Sequence, residues 1–242
     1  DYSCGRNIVG SLSSQFENGG VETLNKRYVP RGYEEWRGLL DNAESAGADK
    51  VVVGFTVLTL PALFTAYLQG DYSFNILPGN GTGSKLTVQA IGAVIKQVQG
   101  VDPLTQEAID NSGIDPTACT YGVNQYDNEV NDAFVQMYRD TYGVVPDVFG
   151  PGTFTSASSV VQGVEASGST NGADIAAAMR GMSIQDTPKG EGAYTYQSNG
   201  DAKTEMTVTD YVPNETEGWE GPYYFSDPLA RYSGDTITPS PD

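Results

Sequence analysis

The side chains with most chemistry to offer stand together in Pro78-Gly79-Asn80-Gly81-Thr82-Gly83-Ser84. Asn80, Thr82 and Ser84 bring donors and acceptors, and the backbone N–H groups of a helix starting near Ser84 suit a small anion or carboxylate. Asn80 and Ser84 would equally serve to shape a turn and cap that helix. The glycine spacing superficially resembles a phosphate loop, but no Lys-Ser/Thr pair follows in register. Upstream, Phe55 closes an apolar run, where it is either one wall of such a site or ordinary core.

Other chemistries are excluded by residue type. The chain has no histidine, which removes the usual general base and the commonest zinc ligand. A Ser-His-Asp or Cys-His triad cannot be built within it. There is no dinucleotide-binding fingerprint, and no stretch alternates Asp and Asn as a calcium loop does; the turn at Ser198-Asn199-Gly200-Asp201 comes nearest and holds one carboxylate. An acid/base pair serving hydrolysis would draw on Asp49 and Asp71, the carboxylates nearest the strand pair described next.

The site must be positioned by residues 49–84. Val51-Val52-Val53-Gly54-Phe55 has the composition of a strand covered on both faces. A helical stretch follows over roughly 58–69, with Pro61 in its first turn, and then a second short strand at Phe74–Leu77. Strand, helix and strand in that order imply a parallel sheet, and such sheets bind ligands beyond the carboxyl ends of their strands. Those ends are Phe55-Thr56 and the loop 78–84. Around this unit, helices are expected at 5–17, 34–46, 84–98, 127–142, 153–167 and 174–180. Strands are expected at Val21–Val29, Thr117–Val123, and as a terminal pair at 192–197 and 204–212. Gly100–Pro116 reads as a surface insertion, and the acidic, aromatic, proline-rich tail from Pro213 as loosely structured.

Composition narrows the partners. Among 242 residues, 31 acids against 13 bases leave a formal charge of −18. Nucleic acid and anionic membrane surfaces are disfavoured, since both need clustered Lys and Arg. The acid excess resembles that of proteins from salt-loving organisms, with self-repulsion that would destabilise the fold at low salt. No apolar run reaches transmembrane length. The start at Asp1-Tyr2 reads as processed or as a fragment. Cys4 and Cys119 are either one disulfide of an exported protein or two buried thiols. Asn80-Gly81-Thr82 and Asn214-Glu215-Thr216 match the short N-glycosylation pattern.

Four stretches carry a resemblance. Asp1-Tyr2-Ser3-Cys4-Gly5-Arg6 is similar to a "D-Y-x-Y-G" helix start, and Asp49–Gly54 to a "D-x-V-x-x-G" strand. Phe134 to Pro146 fits "F-x-x-x-Y-x-x-x-Y-G-x-x-P", and Thr153–Ser169 resembles a helix ending in "A-G-S", followed by a strand pair with Gly200-Asp201. In order and spacing over about 1–212, the chain resembles the second half of a type I periplasmic binding protein of the branched-chain amino-acid receptor family.

The resemblance implies an α/β fold, a parallel sheet flanked by helices forming one lobe, together with part of the other. Residues 1–124 would be the second-lobe domain, 125–189 the helices returning to the first lobe, 190–212 the terminal strand pair and 213–242 an acidic tail. It implies a non-enzymatic, cofactor-free solute receptor of an ABC importer, outside the cell membrane and anchored to it in full-length form. Its partners would be a small ligand, a permease, and a missing first lobe or second chain. A sensory module of the same fold, signalling through a partner protein, is the alternative. Carried over by position, ligand contacts fall on Cys4, Phe55 or Thr56, Asn80 and Phe154. Two positions depart from the family: Cys4 replaces a common aromatic, and Asn80 stands where amino-acid binders can carry an acid. Without the first lobe's sheet, helices 127–142 and 153–167 should each expose an apolar stripe, at about 25 cal/mol per Å² left unburied.

Overall fold

The computed structural model describes residues 3–30, 32–54, 59–78, 84–103, 105–119, 123, 125–189 and 194–234. Helix α1 (Ser3–Asn18) ends where Gly20 takes a positive φ of 74°. There Gly20 N–H donates to Glu17 O and Val21 N–H to Phe16 O, which satisfies the last carbonyls of the helix. Helix α2 (Trp36–Ser45) buries Trp36 and Leu40 and closes in the same way at Gly47, with φ of 70°. Between them, the strand expected at Val21–Val29 does not form. The segment pairs with no strand among the described residues, and Val21, Leu24 and Tyr28 are 54%, 49% and 40% exposed. Alternation of apolar residues makes a strand only where a neighbouring edge receives its amides.

Strand β1 (Lys50–Val53), helix α3 (Leu60–Leu68) and strand β2 (Asn75–Pro78) form the expected parallel unit, in register from Lys50 opposite Asn75 to Val53 opposite Pro78. Helix α4 (Lys85–Gln99) follows, and Leu60, Leu63, Phe64, Ile76, Val88, Ile91 and Ile95 fill the space between helices and sheet. The stretch 100–116 is not a surface insertion. Helix α5 (Gln106–Asp110) buries Ala108 and Ile109, and Ile114 bridges Ile76 in parallel, extending the sheet. Tyr67 pins this return, its hydroxyl meeting Phe74 O at 2.7 Å and Gly113 O at 3.0 Å. The charges that suggested a surface, Glu107 and Asp110, point outward while the apolar residues between them point in.

Strand β3 (Thr117–Cys119) then leads to helix α6 (Glu129–Tyr142), capped by Asn128, and helix α7 (Phe149–Ser167). Helix α7 starts four residues earlier than its composition suggested, because Pro151 sits in the first turn where its missing N–H costs nothing. Helix α8 (Gly172–Met179) packs on α7 at Gly163, where a Cβ would fall 2.8 Å from Met179 Cγ. Strands β4 (Tyr194–Tyr196) and β5 (Ala202–Thr204) make a hairpin. Strand β6 (Met206–Pro213) is not the hairpin partner expected of it; it crosses to pair antiparallel with β3.

As far as Gly234 the tail is also not loose. Strands β7 (Tyr223–Phe225) and β8 (Ala230–Tyr232) both run antiparallel to β6. Trp219, Tyr223, Tyr224 and Phe225 are buried, and Pro222 fills the space left by Gly92 of α4. Aromatic side chains carry large apolar areas, so an aromatic-rich tail joins the core wherever a strand edge can receive its backbone. The second glycosylation pattern falls inside this packing: Asn214 Nδ2 donates to Trp219 O and Gly221 O, and its Oδ1 accepts Thr216 N–H. No helix among the described residues is long and apolar enough to cross a membrane.

Two measurements check this packing. Trp219→Ala should lower unfolding free energy by about 3–5 kcal/mol in urea titration; a change within about 0.5 kcal/mol would mean that the tail is not core. Burial alone would raise the Asp115 carboxyl, but hydrogen bonds from the Lys50 ammonium and from Thr117 outweigh it and hold the group below its usual range. A carboxyl lowered in the folded state contributes stability above its unfolded pKa and loses it as pH falls through the folded value. Asp115→Asn should therefore be less stable than the parent at pH 7, with the gap closing below about pH 4.

Candidate ligand-binding edge

The carboxyl ends of β1 and β2 and the starts of α3 and α4 lie on one edge of the sheet, because the two strands are parallel. Ser84 is buried there. Its Oγ accepts Thr87 N–H at 3.3 Å and lies 3.0 Å from Thr87 Oγ1, so this hydroxyl caps α4 rather than facing a ligand. Phe55, Thr56, Asn80 and Thr82 lie outside the described residues. The frame on either side of them is described: Gly54 follows β1 so close to α1 that a Cβ on it would sit 2.7 Å from Ile8 Cγ2. Cys4 lies one helical turn before Ile8 in α1. The side chains of Cys4 and Cys119 are outside the described residues, and with them the disulfide.

Phe154 is on α7. Its ring is 5.2 Å from that of Phe134, and it lines an open hollow of about 430 Å³ between α6 and α7 with Met137, Tyr138, Tyr142 and Phe149. Met137, Tyr142 and Phe149 are 51%, 66% and 61% exposed, which is the uncovered apolar face expected of these helices. Among the described residues, those lining the hollow come from α6, α7 and the turn between them.

The carboxylates considered for hydrolysis stand at the wrong end. Asp49 precedes β1 and Asp71 precedes β2, at the amino ends of the strands. Asp71 lines a shallow cleft of about 280 Å³ with Arg37, Asp41, Glu44 and Tyr72. There the Tyr72 hydroxyl donates to Asp41, and Ser73 donates through backbone and side chain to Glu44. Among the described residues no group of three or more Cys, Asp or Glu is placed to hold a metal ion.

One cluster has no local signal in the sequence. Gln125, Tyr126, Asn131 and Thr207 are buried polar groups where the chain passes from β3 to α6 and from β5 back into β6. Thr207 Oγ1 meets Gln125 Oε1 at 3.0 Å, and Asn131 Nδ2 donates to Val123 O and Tyr126 O. Burial pushes the Tyr126 hydroxyl up to about 12. The partners in the Thr207 contact are 82 residues apart, beyond the reach of any short pattern.

A sequence profile of the periplasmic binding protein family matches residues 1–216. No match was found among curated protein sequences. Among solved structures, the chain is similar to a leucine-, isoleucine-, valine-, threonine- and alanine-binding protein from Brucella ovis in a closed conformation, at 18% identity and a TM-score of 0.76, covering 99% of this chain and 58% of that one. A leucine-binding protein from Thermotoga maritima matches at 17% identity and a TM-score of 0.67, covering 93% and 55%. A solute-binding protein of an ABC transporter from Rhodopseudomonas palustris, in complex with 3,4-dihydroxybenzoic acid, matches at 15% identity and a TM-score of 0.68, covering 100% and 60%. The chain thus spans less than two thirds of the length of these structures. With a family profile running through nearly the whole chain and the parallel unit, the helices and β6 all falling on the same architecture, the chain belongs to the periplasmic binding protein family and has the fold of its type I, branched-chain amino-acid receptor members.

Proposed function

We propose that this chain is the second lobe, with part of the first, of a non-catalytic extracellular receptor that delivers a small polar solute to the permease of an ABC importer. The observation that carries the reading is the family match over 1–216 on a parallel β–α–β unit whose first strand runs to Gly54, set against Ile8 of α1. In this reading Cys4, Phe55, Thr56 and Asn80 contact the ligand from the second lobe, and Phe154 contacts it from the returning segment. The ligand is an amino acid, an amide or a carboxylate. Asn80 is neutral, and a hydrogen bond to a charged partner is roughly twice as strong as a neutral one, so an ammonium group finds no dedicated counter-charge at this position. The related structures bind amino acids in some cases and benzoates in others; a carboxylate is common to both, and favours that group as the shared handle.

The remaining polypeptide, a first lobe or a second chain, is the other partner. Three described features support its place. Strand β1 is paired on one edge only among the described residues. The Ile8, Leu12 and Phe16 stripe of α1 is only half-buried. The α6–α7 face exposes Met137, Tyr142 and Phe149.

The ligand is tested by a thermal-shift screen of amino acids, amides and small carboxylates on the full-length protein at high salt. A ligand at a hundredfold its Kd should add about 2.7 kcal/mol of stability; no shift with any of the three classes would sink the receptor reading. The uncovered face is tested on its own. The 242-residue chain should enhance the fluorescence of an apolar dye, and Tyr142→Ser with Phe149→Ser should reduce that signal while changing stability by no more than about 0.5 kcal/mol for each site. The full-length protein should show little dye binding at that face; equal binding by both forms would mean that nothing covers it.

A further inference from the structure

The chain passes twice between its β–α–β body and the helices α6 to α8: outward through 117–128 and back through 194–208. Strand β8, which belongs to neither passage, lies against the second, with Arg231 opposite Thr207. The Arg231 guanidinium touches both passages. Its Nη1 lies 3.1 Å from Glu205 Oε1, its Nη2 donates to the Gln125 carbonyl, and its carbon sits 5.2 Å from the centre of the Tyr126 ring. We propose that Arg231 is a positioning residue that pins the two passages to each other, so that the tail fastens the joint about which the helical body moves relative to the sheet.

The geometry requires arginine. A planar fork can direct one N–H to a carboxylate and another to a carbonyl while laying its face over an aromatic ring; an ammonium is a point charge and cannot do all three. The groups it meets are tied inward in turn. Lys189 Nζ donates to the Glu205 carbonyl and to Thr204 Oγ1, so the Glu205 residue is held by a cation at its backbone and another at its side chain. Asn128 Nδ2 donates to Pro188 O, closing the outward passage onto the segment that precedes the hairpin. A second tail contact reaches the outward passage from the other side: Val123 N–H donates to the Tyr224 hydroxyl. The joint is therefore polar, buried at Gln125, Asn131 and Thr207 and partly exposed at Arg231 and Glu205, and Arg231 makes two of its directional bonds. The word joint rests on the two-lobe reading above; the contacts do not depend on any ligand.

The test is hydrogen exchange followed by mass spectrometry on the full-length protein without ligand, comparing the parent with Arg231→Met and Arg231→Lys. In Arg231→Met, peptides covering 123–128 and 205–208 should exchange at least tenfold faster, while those covering α3 and α4 keep the parent rate. Arg231→Lys keeps the charge and should give the same confined pattern at smaller size, so it stands in if the methionine variant fails to fold. Equal acceleration in all peptides would make Arg231 a general stabiliser and overturn the proposal, as would parent-like exchange at the joint in both variants. Since no ligand is added, this outcome is separate from that of the thermal-shift screen: the pin can fail while the receptor reading stands, and the reverse.

Discussion

A strand in a parallel sheet has two faces and two edges to cover, and the crossover helix that creates the pairing covers only part of them. Much of this molecule follows from that requirement. Between β1 and β2 the shared edge is paired in register, and α3 and α4 bury Phe64, Ile76, Val88 and Ile91 against the sheet. On the β2 side the chain supplies its own cover: Ile114 adds a parallel bridge, and the aromatic tail closes over α4 through Pro222, Trp219 and Tyr223. On the β1 side, among the described residues, it supplies no paired strand. There α1 lies half-buried, and Val21–Val29 keeps strand composition without strand pairing.

That asymmetry decides which readings of the sequence survive. Features set within a few residues were legible. Helix ends at Gly20 and Gly47, the Ser84 cap and the Pro61 helix start follow from backbone geometry that neighbours enforce. The parallel unit was legible because β-branched residues, a helix and a second apolar run in that order admit few other arrangements. Long-range pairing was not legible. Val21–Val29 has the pattern of a strand and lacks a partner, while Gly100–Pro116 and the tail have acidic surfaces that hide Ile109, Ile114 and Phe225. Acid content reports the outward face of a segment and is silent about its inward one.

For the site, legibility divides in the same way. The parallel strand ends followed from topology alone, and the described part of that edge has Ile8 of α1 against Gly54. Ser84 proved to be a cap, which the same rule that nominated it had also allowed. Phe154 lies in the α6–α7 hollow, lined among the described residues by those two helices and the turn between them. Helical spacing could identify its apolar face but could not say what lies opposite. Arg231 had no signal at all, because its partners Gln125 and Glu205 are 106 and 26 residues away.

The polar character of the joint has a consequence for motion. Apolar cores are close-packed and resist continuous deformation, because small displacements open gaps that forfeit contact on all sides. A joint filled with leucine and phenylalanine would weld the two bodies into one core. Here the buried residues at the passages include Gln125, Tyr126, Asn131 and Thr207, beside the half-exposed pair of Arg231 and Glu205. Each bond is directional, so the resting geometry is well defined, yet few need to change for the bodies to rotate. The exposed part of the Arg231 ion pair contributes little to stability, and its value lies in orientation. Polar residues at the passages thus set the orientation of the two bodies through directed bonds, while Val145 of the α6–α7 turn joins the core cluster that holds Trp219.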